Sequence, residues 1–129
     1  IFRPDGRLAV IFNERNYTDC GISRLRDEIC QKYCGAFHSG HVGKRSPEEG
    51  DMFLKTEYFS ETEYFIAENN IEMDESAFIG DTLSRSYALS EDDDGFSDFM
   101  RELKSAFEKY EQNGKVTIKY NAKCHLGKF

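Results

Sequence analysis

The first apolar segment of the chain constrains the fold more than any other feature. Five apolar residues, Leu8 to Phe12, follow one another without a polar break, directly after Pro4-Asp5-Gly6 and Arg7. Pro fixes one backbone angle and Gly permits positive φ, so the tripeptide favours a turn. A continuous apolar strand is typical of a sheet that is covered on both faces. The sequence therefore predicts a buried strand that lies between two neighbours.

The end of the chain predicts a strand of another kind. From Val116 to Leu126, apolar residues occupy every even-numbered position and polar residues occupy every odd-numbered one. A period of two indicates a strand with one face in the core, here the even-numbered face. A one-sided strand favours an antiparallel partner in a mixed sheet. As an isolated piece the chain is predicted to be α+β.

Three helices and one further strand are predicted between these two segments. The clearest helix has one apolar face, formed by Phe96, Phe99, Met100, Leu103, Phe107 and Tyr110. Asn113-Gly114 is expected to end that helix. The other predicted elements are a helix at 21–35, a strand within 63–73, and a helix that Asp74 caps and that continues through Leu83.

Composition narrows the possible partners and compartment. The chain has 129 residues, which suits one domain or a large part of one, and its net charge is -7. An acidic chain gains little from phosphate neutralisation, so no nucleic-acid partner is expected. No apolar run is long enough for a membrane span, so no membrane is expected either. Four cysteines without a C-x-x-C pair suggest reduced thiols and a cytoplasmic protein.

One set of residues has the composition of a zinc site. Cys30 and Cys34 are four residues apart on a predicted helix, and His38 and His41 follow them. Gly35 is expected to end the helix before the histidines, which favours two buried thiols and no metal. The acidic run at 91–94 lacks the ligand spacing of a calcium loop, so we expect a solvated loop there.

Two polar clusters are candidate binding residues. One follows the first strand, where open α/β sheets place their ligands, and the other lies at the end of a predicted helix. The alternative is ordinary strand-end and helix-end chemistry. The candidate substrate-binding residues are Asn13, Arg15, Asn16, Ser84, Arg85 and Tyr87. No catalytic residue is assigned, although His38 and His41 are possible general bases.

Three segments, in this order, resemble class I S-adenosylmethionine-dependent methyltransferases of the small-molecule type. "RPDGRLAVIF" resembles the turn and fifth strand of that family, and "DTLSRSYALSEDD" resembles a helix end that precedes an acidic loop. "NGKVTIKYNAKCHLGKF" resembles the closing strand. The resemblance covers nearly the whole chain but only the C-terminal half of the family's domain.

The resemblance implies an α/β fold, the C-terminal half of a Rossmann-like sheet. Its strands would be the fifth at 7–13, the sixth at 63–73 and the seventh at 115–128, in the order 5-7-6 with flanking helices. Residues 1–129 would then be a single partial domain, without the half that binds the cofactor. The seventh strand would be antiparallel and would lie between the other two.

The resemblance also implies a function for the parent protein. The intact enzyme would transfer a methyl group from S-adenosylmethionine to a small-molecule acceptor, and this chain would supply the acceptor side. Alone it is expected to bind no cofactor and to be inactive. Its strand at 7–13 would pair with the missing N-terminal half or cause self-association. The alternative is a self-contained, non-catalytic α+β binding or interaction module.

Overall fold

The computed structural model describes residues 6–35 and 59–128. Contacts divide the chain into two compact units. The sheet unit contains residues 1–15, 40–69 and 120–129, and the helical unit contains residues 16–39 and 70–119. The loop predicted after Gly35, with His38 and His41, lies outside the described residues.

The described residues form a mixed α and β structure with antiparallel sheets, as the sequence predicts for the isolated chain. The elements in chain order are β1 (Arg7–Arg15), α1 (Gly21–Tyr33), β2 (Glu61–Glu68), β3 (Ile71–Met73), α2 (Glu75–Leu83), α3 (Phe96–Tyr110), β4 (Val116–Ile118) and β5 (Tyr120–Lys128). The prediction of one partial domain stays a prediction.

The sheet unit is built around β5. This strand lies between β1 and β2 and is antiparallel to both. Ile11 lies opposite Cys124, which lies opposite Phe65, so the three side chains share one face of the sheet. The first strand of the chain is thus hydrogen-bonded to the last one.

The prediction that the first strand is buried on both faces is wrong. The side chain of Ile11 is 71% exposed, and Phe12 is also exposed. Within the described residues β1 has one strand neighbour, β5, and the described part of the sheet unit contains no helix to cover either face. The apolar run therefore makes a strand, as predicted, but places apolar side chains in contact with solvent.

The closing segment is two strands. The first buries the predicted face, whereas the second buries the opposite one. Lys119 belongs to neither β4 nor β5, so the alternation extends across a break. Val116 and Ile118 are buried in the helical unit, as expected. In β5, however, the odd-numbered Lys123 and His125 are buried, and Lys123 is only 5% exposed. The even-numbered Leu126 is half-buried.

The segment predicted as one strand within 63–73 is also divided. β2 pairs with β5 in the sheet unit, whereas β3 pairs with β4 in the helical unit. Met73 lies opposite Val116, and Ile71 lies opposite Ile118. The two breaks, at 69–70 and at Lys119, are where the chain passes from one unit to the other.

The helical unit has the core that its apolar patterns predict. Phe99, Leu103 and Phe107 on α3 are buried, and the Phe107 ring lies 6.0 Å from the ring of Phe78 on α2. Helices α1 and α2 both pack against α3. Asp74 caps α2, because its side chain accepts a hydrogen bond from the Ala77 amide at 2.8 Å.

Asn113-Gly114 does not end α3 directly. The helix ends at Tyr110, and the pair forms the two central residues of a turn that closes a bridge between Gln112 and Lys115. Both residues have positive φ, 53° and 77°, which is the conformation that a type I′ turn requires and that Asn-Gly favours. The Asn-Gly pair therefore indicates a tight turn rather than a helix cap.

A buried arginine holds α1 and α2 together. Arg26 on α1 is 1% exposed, and its Nη1 lies 2.8 Å from Oδ2 of Asp81 on α2. Arg85 donates to the same oxygen at 2.8 Å. Within the described residues, Nε and Nη2 of Arg26 have no hydrogen-bond partner. A buried charge is thus compensated through one carboxylate, which makes Asp81 more sensitive to substitution than Arg26.

We expect the two ends of this ion pair to respond differently to substitution. Asp81→Ala leaves the Arg26 guanidinium buried without its carboxylate and should lower the free energy of unfolding by about 3–5 kcal/mol. Arg26→Met removes the charge and fills the same space, and should cost less than about 1 kcal/mol. Urea unfolding followed by circular dichroism measures both. Equal losses in the two variants would contradict this account of the ion pair.

Candidate functional site

The helical unit contains a cavity of about 320 Å³. It lies where α1 begins, where α3 ends and where β4 runs past them. The lining is mainly polar in character and includes two lysines, two carboxylates, a tyrosine and a cysteine. The lining residues include Cys20, Gly21, Glu72, Tyr110, Lys115 and Lys119.

Cys20 occupies the N-cap position of α1 and faces this cavity. Its Sγ lies 3.1 Å from Oγ of Ser23 and 3.8 Å from the Thr117 carbonyl oxygen. Burial by itself raises the pKa of the Cys20 thiol, but hydrogen bonds from Ser23 and from the Lys119 amide, with the nearby Lys119 charge, hold the pKa below its usual value. The first turn of α1 contains no acidic residue that would oppose this effect.

Gly21 allows the wall of the cavity to close around α1. A Cβ placed on Gly21 would lie 2.6 Å from the Tyr110 hydroxyl, which is much closer than atoms in contact normally come. The phenol of Tyr110 therefore reaches the start of α1 only because the first helical residue is glycine. Across the opening, Lys115 lies 3.6 Å from Glu72, an exposed ion pair.

The arrangement places a sulfur nucleophile next to a cation and a helix N-terminus. The aligned peptide dipoles of a 13-residue helix also favour negative charge at this end. Sequence reasoning missed Cys20 as a functional candidate. The available signal was a cysteine directly before the start of a predicted helix, which is a position where thiolates are stabilised.

Two of the predicted binding residues lie in the sheet unit. Oδ1 of Asn13 accepts a hydrogen bond from Nδ2 of Asn69 at 3.0 Å. Arg15 is the last residue of β1 and is half-buried. The hydrogen bond between Asn13 and Asn69 joins the end of β1 to the residue after β2, so Asn13 has a structural role whether or not it binds a ligand.

The other four predicted binding residues lie in the helical unit. Oδ1 of Asn16 accepts from the Thr18 amide at 3.0 Å, which is a local turn. Ser84 donates to the Asp81 carbonyl at 2.9 Å, and Arg85 is paired with the Asp81 carboxylate. Tyr87 is half-buried. These hydrogen bonds of Ser84 and Arg85 are helix-end chemistry, and Asp81 links Arg85 to Arg26.

A second polar cluster lies on one face of the sheet unit. Nζ of Lys123 lies 2.5 Å from Oε2 of Glu14, and the His125 ring stacks near Phe12 and Tyr64, with ring centroids 5.8 Å and 4.8 Å away. Burial lowers the pKa of Lys123, but the hydrogen bond and charge of Glu14 outweigh it and raise the pKa overall. Sequence reasoning missed this cluster because it placed the odd-numbered residues of β5 on the solvent face.

We expect Glu14→Gln to destabilise the sheet unit. The variant leaves the Lys123 ammonium buried without its carboxylate, which should cost about 1–3 kcal/mol at pH 7. Because pairing raises the pKa of Lys123, the difference from wild type should persist below the usual lysine value of 10.5 and disappear as pH rises through the folded-state pKa. Glu63→Gln, on the opposite face of the sheet, is the control. Thermal unfolding curves that coincide for both variants would contradict the prediction.

The cysteines of the zinc alternative are buried. Cys30 and Cys34 lie in the interior of the helical unit, and burial raises the pKa of Cys30 to about 12. Metal ligands bind as thiolates, which such burial disfavours. Among the described residues no group of three potential ligands is placed to hold a metal ion. His38 and His41 lie outside the described residues.

Comparisons with known proteins leave the family open. The chain matches no model of a known protein family and no curated protein. In residues 6–35 and 59–128, no helix has the length and apolarity needed to cross a membrane. The methyltransferase resemblance therefore depends on the sequence motifs and on the sheet that they predict.

Proposed function

We propose that this chain is the acceptor-side portion of an S-adenosylmethionine-dependent methyltransferase that acts on a small-molecule acceptor. The observation that carries the proposal is the strand order β1-β5-β2 with the closing strand in the middle and antiparallel to both neighbours. The resemblance implies the same order for the fifth, seventh and sixth strands. Strand order is a property that the individual motifs do not determine.

The direction of the strands adds further support. Since β1 and β2 are both antiparallel to β5, they are parallel to each other. Parallel strands need a crossover connection of a dozen or more residues, and residues 16–60 provide one that includes α1. A simple antiparallel meander needs no such connection. The arrangement thus suits one edge of a doubly wound sheet in which an antiparallel strand lies between the last two parallel strands.

The residues present do not fit the cofactor. Nucleotide-type cofactors bind at a glycine-rich turn between a strand and a helix. In the described residues the glycines with positive φ are Gly95, which precedes α3 after an acidic loop, and Gly114, in the turn before β4. Neither connects a sheet strand to a helix. We therefore assign no cofactor contact to this chain.

In this proposal the chain contributes to binding and alignment of the acceptor. Asn13 and Arg15 lie at the carboxyl end of β1, the edge where open α/β sheets bind ligands. Asn16 is the next residue along the chain. Methyl transfer depends strongly on holding the two reactants in line, so residues that only orient the acceptor suffice for this role.

Cofactor binding by the polypeptide at its natural length tests the proposal. We expect that polypeptide to extend about 100 residues N-terminal to Ile1 and to bind S-adenosylmethionine with one-to-one stoichiometry. The 129-residue chain alone should show no binding. Isothermal titration measures both, with ATP as the control ligand. One-to-one binding by the 129-residue chain, or none by the natural-length polypeptide, would overturn the proposal.

The open edge of β1 is the proposed contact with the rest of the sheet. The Asn69 amide donates to the Tyr120 carbonyl at 2.8 Å. Because the backbone groups of successive residues point to opposite sides of a strand, the even-numbered residues of β5 hydrogen-bond to β2 and the odd-numbered residues hydrogen-bond to β1. His125 lies opposite Val10, and the amides of β1 at Ala9 and Ile11 therefore point away from β5. No described strand pairs with these groups, and in this proposal they are available to a further strand.

The two edges of the sheet differ in charge. β2 contains Glu61, Glu63 and Glu68 and no basic residue, and such charge protects an edge from pairing with another copy. β1 contains an uninterrupted apolar segment. In the absence of the proposed N-terminal half, we infer that β1 pairs with a second copy of the chain.

We expect the 129-residue chain to self-associate through β1. Ile11→Lys places a charge at the open edge and should shift the chain to monomer. Phe65→Lys, on the same face but on the other edge strand, should leave the association unchanged. Sedimentation velocity over a range of concentrations measures the effect. A wild-type monomer at high concentration, or equal effects of the two variants, would contradict the prediction.

A further inference from the structure

We propose that Cys20 is a covalent modification site, where its sulfur reacts through the adjoining cavity with hydrogen peroxide and small alkyl hydroperoxides to form a sulfenic acid. This inference goes beyond the proposed methyltransferase function and does not depend on it. The cavity, the position of the sulfur at the helix start and the groups around it carry the argument.

The cavity gives small reagents access to a sulfur that is otherwise shielded. Only 3% of the surface of Cys20 is exposed, yet the residue lines a space of about 320 Å³. Hydrogen peroxide is about the size of two water molecules, so this space admits it. The same space disfavours the entry of bulky reagents. Tyr110 closes one side of the space against Gly21.

Groups from two segments of the helical unit, the start of α1 and the residue after β4, stabilise the reacting thiolate. Ser23 on α1 contributes a hydroxyl at 3.1 Å and its amide, and Lys119, after β4, contributes its amide and a positive charge. Cys20 also caps a helix of 13 residues. The charged or titratable groups that line the same cavity are Asp19, Glu72, Tyr110, Lys115 and Lys119.

The other three cysteines serve as internal controls. Cys30 and Cys34 are fully buried, and burial raises the pKa of both thiols. Cys124 lies on the sheet and is more exposed than Cys20. If access alone governs the reaction, Cys124 reacts first. If thiolate stabilisation governs it, Cys20 reacts first.

The reaction is a two-electron oxidation of sulfur. The Cys20 thiolate attacks one peroxide oxygen, so that an S–O bond forms and the O–O bond breaks. The electron pair leaves with the second oxygen, as hydroxide or alkoxide, which takes a proton from solvent to become water or an alcohol. The product is the sulfenic acid, and the peroxide is the species reduced.

The test uses the 129-residue chain with hydrogen peroxide at pH 7 and dimedone to trap sulfenic acid, followed by peptide mass spectrometry. We expect Cys20 to be labelled several-fold faster than Cys124, because the groups around the Cys20 sulfur stabilise its thiolate. Ser23→Ala and Lys119→Gln should each slow labelling of Cys20 several-fold. Lys115→Gln, which lines the same cavity but pairs with Glu72, is the matched control.

Two results would overturn the proposal. One is faster labelling of Cys124 than of Cys20 in the folded chain. The other is a rate of Cys20 labelling that is unchanged in both Lys119→Gln and Ser23→Ala. Lys119 is half-exposed, so its substitution should not disturb folding. Circular dichroism of each variant verifies folding. The rate of iodoacetamide alkylation against pH gives a second readout, and its midpoint for Cys20 should lie below 9.0 and rise in Lys119→Gln.

Discussion

The antiparallel pairing of β5 with two strands at once is the constraint on which the sheet depends. β5 is the last strand in sequence, yet it lies between β1 near the start of the chain and β2 in the middle. Segments more than 100 residues apart must therefore meet, as at Leu8 and Gly127. The central position of β5 also makes β1 and β2 parallel and leaves each with one open edge among the described residues.

The sequence predicts elements well where local pattern and packing agree. The stripe from Phe99 to Phe107 appears as a buried helix face, and Asp74 caps α2 as expected. Prediction was wrong where the chain passes between units. The alternation from Val116 to Leu126 looks continuous, but Lys119 interrupts it, so the buried face of β5 carries Lys123 and His125. Nothing local in the sequence marks that change.

The candidate sites were harder to predict because their chemistry depends on contacts between distant residues. Ser84 and Arg85 form a recognisable polar cluster, but Asp81 already engages both, because its carbonyl accepts from Ser84 and its carboxylate pairs with Arg85 and with the buried Arg26. Cys20 was overlooked, since its character comes from Ser23, Lys119 and a cavity that only the tertiary structure creates. Residue type indicates which groups are available, and the fold decides which of them are already engaged.

Amide hydrogen exchange in β1, measured by NMR, tests the central claim that this sheet is part of a larger one. In the monomeric Ile11→Lys chain, the amides of Ala9 and Asn13 should exchange quickly and those of Val10 and Phe12 slowly, because only the latter face β5. In the natural-length polypeptide, Ala9 and Asn13 should become protected by the strand that pairs there. Fast exchange at both positions in that polypeptide would contradict the account.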